Sequence, residues 1–504
     1  MKRLMLATGA AAVALMLAGP AAVPQAWAQA KETIVIDLVN EPSSLDPHMQ
    51  WNPDSYYVYR NVFDNMVTRD DDGEIIPQVA TSWEYLSDTE VAFTIRDDIT
   101  FHDGTPLTAE DVAFSVNRII NPDFGSPQLG QFNKITGAEA TDDTTVVITT
   151  DGPYPVLLAQ LVKLSIVPMH HVEEVGDEQF NLEPMGSGPY AFDSWQRGVQ
   201  VTLVRNDDYW GDMGPFERAE FRAVPDAATR VANLQAGESD LVVSLNQDLA
   251  TQIEGDPAVK PLIVNTERVA FLRLNTQIPP TDDPRVREAI AHAIDKEGLT
   301  VGLLGGYPEP VDIMLSPAHF GWVEGMEGPD YDPEAARALL EEVGDAAEVE
   351  MVFATAPVFD QRIVQALQQM LADVGLSASI EMTDMSTYLG RVRSEPTDAP
   401  HMNFGRWSCA CQDADGVLFP LLHSSSSWSV VRDPGLDADL EAARNTLDDE
   451  ERLEHYRAVH EAMIEETLLV PLYQAAIIYG AADALDWQPT ANESLFLNRM
   501  GWSE

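Results

Sequence analysis

Only two cysteines, Cys409 and Cys411, occur among 504 residues. That scarcity excludes a disulfide-scaffolded mini-domain and a four-cysteine structural zinc site, and it leaves room for one internal bridge at most. Basic residues are short as well: 30 Lys plus Arg stand against 82 Asp plus Glu, a formal charge of −52. A chain this acidic is repelled by phosphate backbones and anionic lipid, so nucleic-acid binding is excluded. After the first thirty residues no apolar run approaches the ~20 residues needed to cross a bilayer. Also missing are a G-x-S-x-G elbow, an H-E-x-x-H pair, a G-x-x-x-x-G-K-[ST] loop and a strand-flanked G-x-G-x-x-G. With no nucleophile paired to a base and no metal-ligand set, the residues point away from an enzyme and from any resident cofactor or metal.

What is present describes a folded, exported protein. Apolar residues make up 45% of the chain and charged residues 22%, ordinary globular values. At ~150 residues per domain the length allows roughly three domains. Lys2 and Arg3 precede a small, apolar stretch from Leu4 to Ala18, then Pro20, Pro24 and Ala26-Trp27-Ala28, with no acid before Glu32. This is the pattern of a secretory signal peptide cleaved after Ala28, and the two prolines break it too early for an anchor. A periplasmic location follows. The acidity suits either a surface that stays hydrated in high salt or plain solubility, and charge alone does not separate them. Clusters such as Asp70–Glu74 and Asp448–Glu451 fall where turns or helix starts are expected and lack the spacing of an EF-hand.

Short strands and helices alternate along the chain. Ile34, Ile36 and Leu38 form an alternating run that delivers a proline-bracketed loop, with a helix opening near Tyr56; similar runs recur at Val91–Ile95, Val146–Ile148 and Val201–Leu203. Asp283-Pro284 and Asp332-Pro333 each read as an N-cap with proline at the first helical position. Ile363, Leu367, Met370, Leu371 and Val374 mark a third amphipathic helix, stopped by Gly375 and followed by a strand at Ala378–Met382. The class is α/β or α+β. His170-His171 reads as a surface pair, and His455 and His460, five apart on a helix, as solvated side chains. Gly186-Ser187-Gly188-Pro189 reads as a tight turn at a domain junction.

The run "SWEYLSDTEVAFTIRDDITFHDGTPLTAEDVAFS" from Ser82 to Ser115 resembles the signature of the family 5 extracellular solute-binding proteins, receptors of peptide, nickel and opine ABC importers. The likeness continues with "GSGPYAFDSW" at Gly186, "VTLVRNDDYWG" at Val201, "ATRVANLQAGESDLV" at Ala228, "LNTQIPPTDDPRVREAIAHAIDKEGL" at Leu274, "YDPEAARALLEEVG" at Tyr331 and "YRAVHEAMIEETLLVPLY" at Tyr456. It implies a two-lobed periplasmic-binding-protein fold of type II, in the large three-domain form, with an extra domain inserted in the first lobe. Lobe one would hold 29–68, 187–275 and 482–504, the inserted domain 69–186, and lobe two 276–481, with hinge crossings near Asn275-Thr276 and Ala481-Ala482. The implied partners are a small-molecule or peptide-like ligand and a membrane permease with its ATPase. The receptor is expected to be a monomer that closes on its ligand.

The resemblance also points to site residues. In dipeptide and oligopeptide receptors an Asp three residues after a Trp pairs with the peptide's ammonium; the matching position after Trp407 is Ala410, and no Arg stands at Ala354–Pro357 to hold a carboxylate. The segment "WSCACQDADGVLFPLLHS" instead resembles the glutathione-binding branch, through Trp407-Ser408, Asp413-Ala414-Asp415 and Leu418-Phe419-Pro420-Leu421. Trp407, Ser408 and Asp413 are therefore expected at the ligand, with Asp415 as a helix N-cap. From lobe one, Gln50, Trp51 and Tyr56 are expected contacts, and Trp322 borders the pocket from lobe two. Cys409 and Cys411, inside the same loop, could be bridged only if the backbone bends, because an extended strand separates them by ~6.6 Å.

Overall fold

The computed structural model describes residues 31–70 and 73–503. The leader and its cleavage after Ala28 lie outside the described residues. Among these residues no helix is long and apolar enough to cross a membrane.

The backbone of the fold is one mixed sheet of eleven strands. Two long antiparallel strands, Val259–Leu274 and Leu469–Ala482, run through its middle. On one side of them the order continues through Leu241–Val242, Thr33–Leu38, Arg218–Ala223, Gln200–Arg205 and Tyr190–Gln196; on the other through Met402–Trp407, Met351–Thr355 and Ala378–Met382. The alternating runs read from the sequence are all strands here: Val91–Ile95 and Val146–Ile148 bury one face, whereas Ile34–Leu38 and Val201–Leu203 are buried on both. Ile34, Ile36 and Leu38 pack into the first half's core with Tyr57, Phe63 and Tyr479. Met351, Phe353 and Met402 pack into the second half's core with the helix Gln361–Asp373 through Ile363, Leu367 and Leu371. The Asp-Pro helix starts behave as read: Asp283 accepts the Arg285 N–H, and Asp332 accepts those of Glu334 and Ala335.

Val259–Asn265 pairs with Ala476–Ala482, the register then shifts, and only from Val269 does the strand pair with Gln474–Leu469 and with Met402–Trp407. The register of the two long strands shifts at Asn265–Val269 and opposite it near Gln474–Ala476, whereas Asn275-Thr276 and Ala481-Ala482 lie at or just past the ends of those strands. A bulge bends and twists a strand without interrupting it.

A separate four-stranded antiparallel sheet is built from Ala80–Ser87, Glu90–Ile95, Thr145–Thr150 and Ile135–Asp142, covered by the helix Ala109–Ile119. Its core draws on residues from Met66 to Ile166. Val172 and Phe180, from the two short helices that follow, join the core of the first half instead, so this unit closes well before residue 186. Gly186 and Gly188 lie where it returns to the first half, and a Cβ on either would run into the Asn61–Val62 backbone. Two histidines also need placing. His170 pairs with Asp103 at the surface, whereas His460 is fully buried and faces the Gly321 carbonyl, contrary to a solvated reading.

Candidate ligand site

A cavity of about 820 Å³ opens where the three parts converge. Its first wall is the loop after the strand Thr33–Leu38, and a buried network holds that loop in place. The Arg118 guanidinium, from the helix of the inserted unit, donates to both carboxylate oxygens of Asp46 at 3.1 and 2.6 Å, and Ser126 and Gln128 donate to the carbonyls of His48 and Pro47. Burial pushes His48 down to about 4, with the neighbouring Arg118 charge acting the same way, so it stays neutral in this network. The loop ends in the helix Pro53–Tyr59, capped by Asn52. Trp51 and Tyr56 line the cavity with ring centroids 5.3 Å apart, while Tyr57 turns into the core. Gln50 does not line it. Its amide donates to Ser43, its Oε1 accepts the Trp51 N–H, and its carbonyl accepts from the Tyr59 hydroxyl.

The facing wall comes from the end of Met402–Trp407 and the loop beyond. Trp407, Ser408 and Cys409 line the cavity, with Trp428 edge-on to Trp407 at 4.9 Å. Trp407 Nε1 donates to the Gly416 carbonyl at 3.0 Å, which fixes the indole. Cys409 and Cys411 are bridged, with Cα atoms 5.0 Å apart, across a turn in which Gln412 takes a positive φ of 51° and its N–H returns to the Cys409 carbonyl. That is the bend the bridge requires. Cys411 is buried against the core of the inserted unit, and its carbonyl accepts a 2.6 Å hydrogen bond from Arg69, so this loop spans the mouth between lobe two and the insertion.

Three sequence expectations change here. Asp413 does not reach the cavity: both its oxygens accept from Arg452 Nη2 at 2.9 Å, and the two side chains are almost wholly buried. Asp415 takes the lining position instead. It is the first residue of the helix Asp415–Leu422 and not its N-cap, and its carboxylate pairs with Arg444 Nε at 2.7 Å. Burial pushes the Asp415 carboxyl up, and Arg444 draws it back. The third change is Trp322, which packs against the lobe-two core and does not line the cavity.

Several lining groups were not singled out from the sequence. Glu267 and Arg268 sit at the bulge between the halves, Gln131, Tyr154 and Gln160 come from the inserted unit, and Arg393 lies over the Trp428 ring at 4.0 Å. Arg268 pairs with Glu493 at 3.0 Å. Lys163, buried beneath this wall, bonds to Gln131 and lies near the Trp51 and Phe132 rings. Signals existed: Glu267-Arg268 places adjacent charges inside a strand-forming segment, and Lys163 is the one charged residue between Tyr154 and Pro168. Among the described residues no group of three or more His, Cys, Asp or Glu is placed to hold a metal ion.

Two lobes joined by paired strands, an inserted unit, and an aromatic-walled cavity between them define a ligand-binding protein of the hinged, type II periplasmic class. Residues 74–429 match the family described as bacterial extracellular solute-binding proteins, family 5, and the chain belongs to that family. Its members are solute receptors of ABC importers, not enzymes, and are periplasmic. The chain is 26% identical over 460 residues to the glutathione-binding protein GsiB of Escherichia coli (strain K12), covering 88% of this chain and 89% of that one. Among solved structures, the ABC transporter substrate-binding protein CtaP of Listeria monocytogenes matches with a TM-score of 0.86 at 22% identity, covering 94% of this chain and all of that one (100%). DppA of Helicobacter pylori, solved with the peptide STSA, matches with a TM-score of 0.79 at 23% identity, covering 94% and 99%.

Proposed function

We propose that this protein captures a peptide or peptide-like small solute between the Trp51–Tyr56 wall and the Trp407–Trp428 wall, closes by bending at Asn265–Val269, and presents the solute to an inner-membrane permease and its ATPase. The observation that carries this reading is the cavity itself: about 820 Å³, lined by residues of all three parts of the molecule, with Trp51, Tyr56, Trp407 and Trp428 among polar groups. Aromatic rings supply contact area at little entropic cost, and the polar groups between them set orientation. The Arg393 guanidinium, stacked on Trp428 and without a carboxylate partner among the described residues, suits an anionic group of the solute. A glutathione-like tripeptide is the solute class that the GsiB likeness favours. Lobe one is read as 32–65, 167–265 and 476–503, and the protein as an exported monomer with its leader removed after Ala28.

Mass spectrometry of the protein purified from its native periplasm tests this. One small peptide-like solute per chain is expected, and Trp51→Ala and Trp407→Ala should each lose about 2 kcal/mol of affinity for it while remaining folded. Capture of no solute, or unchanged affinity in both variants, would remove this placement of the site.

A further inference from the structure

The bridge between Cys409 and Cys411 stands at the cavity with its two ends in different surroundings. Cys409 is half-buried and lines the cavity, whereas Cys411 is fully buried against the core of the inserted unit. Arg69 donates to the Cys411 carbonyl at 2.6 Å, which holds that end of the turn in place. The bridge also packs directly on the wall beside it. Gly416 lies so close that a Cβ there would overlap both sulfurs, and its carbonyl is the acceptor that fixes the Trp407 indole at 3.0 Å. Bonded sulfurs sit about 2 Å apart, well inside the contact distance of unbonded atoms. Once the bond breaks they separate, either against Gly416 or into the cavity, and in both cases Gly416 loses the packing that positions its carbonyl.

We propose that this bridge is a thiol-exchange site facing the cavity, through which a small thiol unseats the Trp407 wall. The incoming thiolate gives its electron pair to Cys409 Sγ, the reachable sulfur. The bond to Cys411 breaks with its pair on Cys411 Sγ, and that thiolate takes up a proton. The product is a mixed disulfide at Cys409 and a free Cys411. Attack by Cys411 on the mixed disulfide restores the bridge and returns the thiol; attack by a second thiol leaves both cysteines free and the two thiols joined as their disulfide. Because Trp407 walls the proposed solute site, the effect on solute binding rests on that reading, whereas the exchange does not.

The exchange is tested by holding the mature protein with millimolar reduced glutathione or cysteamine, quenching with N-ethylmaleimide and reading the products by tandem mass spectrometry. Opening of the bridge in the folded protein is expected, with the thiol adduct on Cys409 and the maleimide on Cys411; a product with maleimide on both also shows opening. Reactivity of single cysteines then assigns the attacked sulfur: Cys409 in Cys411→Ser should react with iodoacetamide at least about tenfold faster than Cys411 in Cys409→Ser. Opening should shift the tryptophan emission, and Trp407→Phe should remove that shift. A bridge that opens only on unfolding, an adduct confined to Cys411, equal reactivities, or an emission that either stays constant or shifts equally in Trp407→Phe each overturns the proposal. For the solute recovered from the native protein, opening the bridge should weaken binding about tenfold by loosening a preorganised wall, and unchanged affinity after verified opening overturns it as well. If no solute is recovered, the receptor reading fails by itself, and the exchange and emission results still decide the proposal.

Discussion

Asp413 and Arg452 form an ion pair whose side chains are 5% and 3% exposed, inside the wall of lobe two. Breaking such a pair leaves an uncompensated buried charge and costs ~3 kcal/mol or more. Asp413→Ala should therefore lower the denaturation midpoint strongly while the folded fraction keeps its solute affinity, as measured by chemical denaturation and titration; weakened binding with unchanged stability would return Asp413 to the ligand. Glu267 predicts a pH effect. With its carboxyl raised from an ordinary 4.5 to about 8, the folded protein holds a proton that the unfolded chain has released, so this group lowers stability as pH rises across that window. Lys163, pushed down to about 7 by burial, acts with the opposite sign, because the folded protein has released a proton that the unfolded chain keeps, while Arg268, Arg69 and Glu493 also lie near Glu267. Glu267→Gln should flatten the profile; an unchanged slope would contradict the assignment. Trp51 and Trp407 were picked out by the segments they sit in, whereas Trp428 was not singled out from the sequence. Asp413 and Asp415 were not separable, since two acids two residues apart in one turn look alike until the chain's path is known.

Among the elements, the loop from Ser408 to Gly416 combines the most constraints. A Cβ on Gly416 would overlap the sulfurs of both Cys409 and Cys411, and the Gly416 carbonyl anchors the Trp407 indole. Gly416→Ala should displace the bridge and the indole together, costing about 1–3 kcal/mol of stability and weakening solute binding. Replacing both cysteines by alanine in that background should restore much of the stability, measured by thermal denaturation; a neutral Gly416→Ala would show that the loop yields freely. Helices announced themselves through Asp-Pro starts and glycine stops. The five-residue spacing of His460 from His455 says nothing of which face His460 occupies. His460 shares a face with Tyr456 and Met463, at helical intervals of four and three, and that face is buried.

At the level of the whole molecule, the order of motifs disclosed a two-lobed receptor. The shift of register at Asn265–Val269 lies inside a continuous strand, where no loop marks it in the sequence, and the proposed pivot rests on that shift. The account depends on that junction bending when solute fills the cavity. Small-angle X-ray scattering tests it directly, on protein stripped of its captured solute and then resaturated with it. A smaller radius of gyration with solute bound is predicted, with Trp51→Ala contracting only at higher solute concentration. A radius unchanged at saturation would contradict the hinge and, with it, the mechanism of capture.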